Sequence, residues 1–290
     1  MNTWIVRVLW VSLPVTAGDV FADALQSWSD ETRIAATVLL WLAWAVVLSA
    51  LLVPRPVAAT IVRIGTPLAV GVTVVAVAAG ESTAVAGTLA IVVTVAACAL
   101  AVRGEFPRVC AQGAAYGDEE RFPLKLPPAI AFLVLPVAIA VIGFGLCTGP
   151  LLLVDGRWIG GLFTAIGVPL AVIAIRLVHQ LSRRWIVLVP AGIVIADPLT
   201  LTDPVLFVRE RVMGIGPADP GRRPPADALD LRLGAVLGSC ALLLTDEADL
   251  LRRVRGEGVR VQAGLILVTP AMSGRLLDRA GARRFPVRRD

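Results

Sequence analysis

The segment Ile159–Pro198, IGGLFTAIGVPLAVIAIRLVHQLSRRWIVLVPAGIVIADP, contains the change of pattern that decides the fold. Up to Leu177 it is an apolar run with one charge, Arg176, close to its end, the pattern of a helix that crosses lipid. After Arg183 and Arg184 the run breaks into two short β-branched stretches, Trp185 to Val189 and Ile193 to Ala196. Pro190-Ala191-Gly192 stands between them as a hairpin signal, since proline presets one turn dihedral and glycine accepts the other. A membrane helix therefore hands over to a sheet within a few residues.

Upstream, the same apolar pattern recurs. A hydrocarbon core needs about 20 apolar residues of helix, and Ile34 to Leu52, Gly65 to Ala79, Thr83 to Val102 and Ala129 to Cys147 qualify or come close, with Ile159 to Leu177 after them. Trp4 to Phe21 is a weaker candidate because it holds Arg7 and Asp19, so the count is five or six spans. Pro14 interrupts that first stretch, and Asp19 and Asp23 stand where a signal peptide would have small residues, so it reads as a span or a surface-lying anchor. Composition agrees, with 57% hydrophobic and 17% charged residues, against about half and a quarter in soluble domains. The expected architecture is a helical membrane domain over 1–182, with spans at about 4–21, 34–52, 65–79, 83–102, 129–147 and 159–177, followed by a water-soluble domain over 183–290.

Orientation follows from arginine and lysine, which concentrate in cytoplasmic loops. Arg55 and Arg63 share one connection, Arg103, Arg108, Arg121 and Lys125 another, and Arg183 and Arg184 follow the last span. The opposite connections hold Arg33 beside Asp30 and Glu31, then Glu81, then Asp155 with Arg157. The long connection and the tail are therefore expected in the cytoplasm, with the protein in the cell membrane. Arg7, Asp19 and Arg176 all lie near span ends, which leaves the middle of the membrane without the charge that marks an ion path. Small residues recur from Val70 to Ala97 and favour close backbone packing over a solvated pore. His179, the sole histidine, reads as an interfacial polar residue.

Downstream of Ala196, further strands are expected at Val205 to Val208, Arg211 to Ile215, Leu229 to Leu233, Cys240 to Thr245 and Val259 to Val268. Gly216 to Ala226 reads as a flexible loop, and a last amphipathic helix starts near Thr269 or Pro270 with Leu276, Leu277 and Ala280 inward. Seven short strands and one helix resemble the bacterial pleckstrin-homology-like (PH-like) fold, a bent antiparallel barrel capped by a helix. More closely, RRWIVLVPAGIVIADPLTLTDPVLFVRERV (Arg183 to Val212) and AYGDEERFPLKLPP (Ala115 to Pro128) resemble segments of a family of uncharacterised actinobacterial integral membrane proteins. That resemblance covers nearly the whole chain and implies architecture and location, with no activity attached. The turn at Pro190-Ala191-Gly192 is too short and too neutral to hold a phosphorylated headgroup in the manner of a phosphoinositide-binding pleckstrin domain.

Candidate interaction residues follow from charge. The tail has 17 basic and 12 acidic residues, a net +5 that an anionic membrane surface would attract. Arg183, Arg184, Arg252, Arg253, Arg255, Arg283 and Arg284 are the candidate lipid-headgroup or partner contacts, with Arg288 and Arg289 beyond them. The connection Gly104 to Pro128 holds a second candidate, a docking segment of Tyr116, Asp118, Glu119, Glu120 and Arg121, for the tail or for a partner. Cys98, Cys110, Cys147 and Cys240 show no metal-ligand spacing, and HExxH, GxSxG and P-loop motifs are absent from the sequence. The sequence thus calls for no enzyme, cofactor, metal or nucleic acid. It points to a membrane-anchored adaptor or regulatory protein with anionic inner-leaflet lipids and a protein as partners, the alternative being a small transporter or channel for a lipidic or apolar substrate.

Overall fold

Six helices are long and apolar enough to span a bilayer in the structure, a computed structural model, which makes this a multi-pass membrane protein. The structure describes residues 3–102, 105–221, 223–225 and 227–288. Arg103, Gly104, Ala226 and Arg289, which entered the orientation, loop and charge arguments above, lie outside the described residues.

The spans are α1 (Thr3–Ala24), α2 (Asp30–Leu52), α3 (Pro56–Ala79), α4 (Ala84–Val102), α6 (Leu135–Val154, entered through a π-helical turn at Ile130–Val134) and α7 (Ile159–Leu181), with a short α5 (Glu105–Gln112) after α4. The weak first candidate is thus a full-length helix that runs through Pro14. Its Arg7 is accommodated at the end of α2, where the guanidinium Nε donates to the Leu51 carbonyl (3.0 Å) and lies over the Trp4 ring. An arginine at a helix C-terminus meets the unpaired carbonyls and the negative end of the dipole. α3 is longer than Gly65 to Ala79 because Pro56 starts it, and proline at a first helical position loses no backbone hydrogen bond. Ser29 caps α2 by accepting from the Thr32 amide, with Asp30 and Glu31 in the positive first turn.

The chain divides into two compact units, Met1–Cys110 with Leu135–His179, and Ala111–Val134 with Gln180–Asp290. In the first, α1 packs on α4 and α3, and α3 on α4. Ala17, Ala76, Ala90 and Ala97 are buried there, so the small residues after Val70 do bring backbones together. Trp10 and Trp44 tie α1 to α2 reciprocally, each indole N–H donating to the other residue's carbonyl at 3.0 and 2.9 Å. In lipid those two N–H groups have no water to turn to. A second close approach joins α6 to α7. A Cβ added at Gly145 would strike the Gly167 carbonyl oxygen, and one at Gly149 would meet the Thr164 amide nitrogen at 2.5 Å. Gly145 and Gly149 form a GxxxG pair in span five that the reading of small residues in Val70 to Ala97 passed over.

The second unit is built on β1 (Glu120–Pro123), β2 (Trp185–Val189), β3 (Gly192–Ala196), β4 (Val205–Val208), β5 (Val212–Pro217), β6 (Ala228–Asp230), β7 (Cys240–Val254), β8 (Glu257–Val268) and α8 (Ser273–Ala282). These make two four-stranded sheets, ordered β1-β2-β3-β4 and β5-β7-β8-β6, and no closed barrel is found among the described residues. The sheets share one core that includes Phe122, Ile186, Ile195, Ile215, Leu242, Ile266 and Leu276. Three features depart from the sequence expectation. β1 comes from the connection between spans four and five, β6 joins β8 in parallel, and β7 runs on through Asp246–Val254 into a long hairpin with β8. Of the loop expected at Gly216 to Ala226, Gly216 and Pro217 belong to β5.

Replacing Gly145 by leucine should force α6 and α7 apart and destabilise the helical unit by about 1–3 kcal/mol, the usual cost of overpacking. A thermal melt in detergent measures it; an unchanged melting temperature would show that the close approach contributes nothing to stability.

Candidate functional site

The docking segment of the 104–128 connection has its partner within the second unit. β1 adds antiparallel to β2, with Glu120 opposite Leu188, Phe122 opposite Ile186 and Pro123 opposite Trp185. Phe122 is fully buried and Leu124 nearly so, while Arg121 and Pro123 next to them are half-buried, so the segment has a period-two apolar face. Two ion pairs fasten its outer end to α8 and the residue after it. Arg279 donates to Glu120 at 2.6 Å, and Arg283 reaches both the carboxylate (2.8 Å) and the carbonyl (2.9 Å) of Asp118. Both pairs reach solvent, where such bridges contribute about 0–1 kcal/mol, whereas burying a phenylalanine contributes about 1.5–3 kcal/mol. Phe122 and the strand ladder hold the segment, and the charges set its position. Glu119 pairs with Arg121 at 3.0 Å, and the Arg121 guanidinium lies over the Trp185 ring. Gln112 spans the turn, donating to the Glu119 carbonyl and accepting from the Arg121 amide. Tyr116, by contrast, is 86% exposed.

The candidate arginines separate into distinct environments. Arg184 is not available to a lipid or a partner, because its side chain is 2% exposed and forms a two-pronged pair with Asp197, both bonds at 2.7 Å. Its remaining Nη1 donates to the Lys125 carbonyl, and Asp197 also accepts the Leu199 amide. Sequence reasoning could have found this pair. Extending the β2–β3 register past Trp185 opposite Ala196 sets Arg184 opposite Asp197. Arg283 is likewise engaged, by Asp118. Arg183 and Arg284 are exposed, and Arg252, Arg253 and Arg255 are exposed together at the end of the β7–β8 hairpin. The structure therefore brings three of the seven candidates together and removes Arg184 from the set.

Other charges in the unit also serve its architecture. Arg232 is buried against Asp230 with bonds of 2.9 and 2.8 Å. Burial pushes the Asp230 carboxyl up, but hydrogen bonds and charge from Arg232, helped by Arg252, outweigh it and hold it below the usual carboxylate value. Arg209 lies over the Phe285 ring and donates to the carbonyls of Arg283 and Pro190. In the helical unit, Thr60 Oγ1 and His179 Nδ1 are 2.8 Å apart, which gives the sole histidine a partner. All four cysteines are free thiols. No family model, curated protein or solved structure matches this chain.

Two outcomes are expected. Arg184→Ala strands the Asp197 carboxylate in the core and should cost about 3–5 kcal/mol, whereas Arg184→Met with Asp197→Leu should recover most of that. Denaturant titration of the full chain followed through the reactivity of the buried Cys240 thiol measures both, and equal losses in the single and double variants would show that packing matters more than charge. Burial pushes the Cys110 thiol up to about 12 and the Cys240 thiol to about 11, so neither forms thiolate near neutrality. Maleimide should label them only after denaturation, as counted by mass spectrometry.

Proposed function

We propose that this chain is a non-enzymatic membrane-anchored adaptor or regulatory protein whose second unit is an interaction domain at the cytoplasmic face. The observation that carries the reading is the joint construction of that unit. A connection between spans and the chain after the last span fold around one core, which fixes a sheet domain to the bilayer at three points. Three attachments suit a domain that must be held at the membrane surface and presented to something else. The arginine distribution supports the cytoplasmic side, and the exposed Tyr116 near the Asp118 anchor offers a contact point for a protein. The exposed arginines support anionic inner-leaflet lipids as a second partner.

The two packed sheets with one C-terminal helix support a PH-like relationship for the unit, in an open form. The segments at Ala115 to Pro128 and Arg183 to Val212 support placing the chain with the actinobacterial membrane proteins they resemble.

A second reading, a small transporter or channel for a lipidic or apolar substrate, draws on an open groove of about 440 Å³ at the turn from α1 into α2, lined by Ala22, Leu25 and Gln26 on one side and Arg33, Ile34 and Val38 on the other. Crosslinking in native membranes separates the two. The full chain is compared with one ended after Ser182 that also has Phe122→Ser and Leu124→Ser, since truncation alone would leave the apolar face of β1 bare. Capture of a protein by the full chain and not by the shortened one is the expected result. Capture of only lipid and other copies of the chain would favour transport.

A further inference from the structure

β7 and β8 stay paired out to Val254 opposite Glu257, well beyond the last buried residues of each strand, Leu250 and Ala263. Arg255 and Gly256 close the ribbon with φ of 51° and 93°, the left-handed pair that a two-residue hairpin turn of matching twist requires. One edge is braced almost to the turn, where the Arg253 amide donates to the Thr200 carbonyl (2.8 Å) and the Thr202 amide to the Leu251 carbonyl (3.1 Å). The end of the hairpin is therefore stiff, and only the residues at its turn extend past that brace.

Its side chains are of two kinds. Leu251, Val254 and Val259 are 45%, 42% and 47% exposed. Arg252, Arg253, Arg255 and Arg260 surround them, against the single acid Glu257 in the stretch 251–260. Across the ladder Leu251 faces Arg260 and Val259 faces Arg252, so both faces of the ribbon pair an apolar residue with an arginine. None of these four arginines is in an ion pair within 4 Å among the described residues, unlike Arg184, Arg232, Arg279 and Arg283, although the charge of Arg252 is felt by Asp230. Charged edges alone would keep such a ribbon soluble. Val254 and Val259 share one face of the ribbon next to its turn, Leu251 lies on the other face farther back, and the arginines flank them, an arrangement that suits shallow insertion of the turn end into a layer that is apolar below and anionic above.

We propose that the β7–β8 hairpin end enters the headgroup layer of an anionic bilayer, with Val254 and Val259 reaching the acyl boundary and Arg252, Arg253, Arg255 and Arg260 meeting lipid phosphates. The proposal rests on the anionic-lipid part of the function above and is independent of the adaptor part. An apolar and arginine-rich element of this kind binds through buried area and charge together. Because the chain is already anchored by its helices, the hairpin is held at high effective concentration next to a bilayer, and a shallow contact suffices.

The test places an environment-sensitive NBD fluorophore on Val254→Cys in the full chain carrying Cys98→Ser and Cys147→Ser. The protein is reconstituted in nanodiscs of phosphatidylcholine alone or of phosphatidylcholine and phosphatidylglycerol in equal parts. Blue-shifted emission, several-fold brighter in the anionic discs and quenched by doxyl-labelled lipid, is expected. Arg253→Glu, Arg255→Glu and Arg260→Glu together should abolish it, while Cys240 stays unreactive as the sign that the unit remains folded. Emission typical of water in both discs would overturn the proposal. So would a blue shift that ignores both lipid charge and the arginine reversal, since that marks an apolar protein contact. Partner capture does not enter this readout, so the adaptor reading and the hairpin proposal can fail separately.

Discussion

The buried pair of Arg184 with Asp197 is the constraint on which the second unit depends. One guanidinium joins three chain segments: the start of β2, the turn after β3 through Asp197, and the connection between spans four and five through the Lys125 carbonyl. Taking two ions out of water costs several kcal/mol each, and the gain comes back only with good geometry and saturated hydrogen bonding. Here both prongs are short, and Asp197 has a further backbone donor in Leu199. The pair adds less to net stability than to specificity. A slip of the β2–β3 register by one residue would leave both charges buried and alone, which penalises the wrong pairing far more than it rewards the right one.

The helical unit rests on a different economy. Lipid tails supply no hydrophobic drive between helices, so association depends on close packing and on polar groups that must find partners. The alanines between α1, α3 and α4, the glycines between α6 and α7, and the two tryptophan N–H groups bonded across α1 and α2 supply these in turn. Arg7 belongs to the same set, since the α2 carbonyl it binds would otherwise face the end of the membrane without a donor.

Much of the architecture was legible because it rests on composition and period. Five apolar runs and a weaker sixth, the hairpin at Pro190-Ala191-Gly192 and the inward Leu276 and Ala280 of α8 all follow from local pattern. The features that escaped depend on contacts distant in sequence. β1 is only four residues long and lies among charges, with Pro123 inside it, so its alternation of Phe122 and Leu124 is faint without β2 alongside. The outer half of β7, DEADLLRRV, is polar and reads as loop because its burial ends at Leu250, yet β8 keeps it extended. By position after a span and by charge Arg184 reads as a lipid or partner contact, whereas its place in the core depends on the aspartate across the hairpin. For the candidate site, composition found the arginines of the β7–β8 end but could not separate them from those already bound to carboxylates.

The origin of β1 also sets an order of assembly. During synthesis Phe122 and Leu124 emerge before α6 and α7, while Ile186, their neighbour in the sheet, emerges after both. Until those two spans have been inserted and the chain beyond them completed, the connection carries an apolar strand with no sheet to join. The last helix, whose Arg279 binds Glu120, arrives later still, followed by Phe285, which enters the core, and by Pro286 and Arg288, which bond to Ile215 of β5. Completion of the sheet unit therefore reports that every preceding span has been made, and until then the edge of β1 that pairs with β2 stays open.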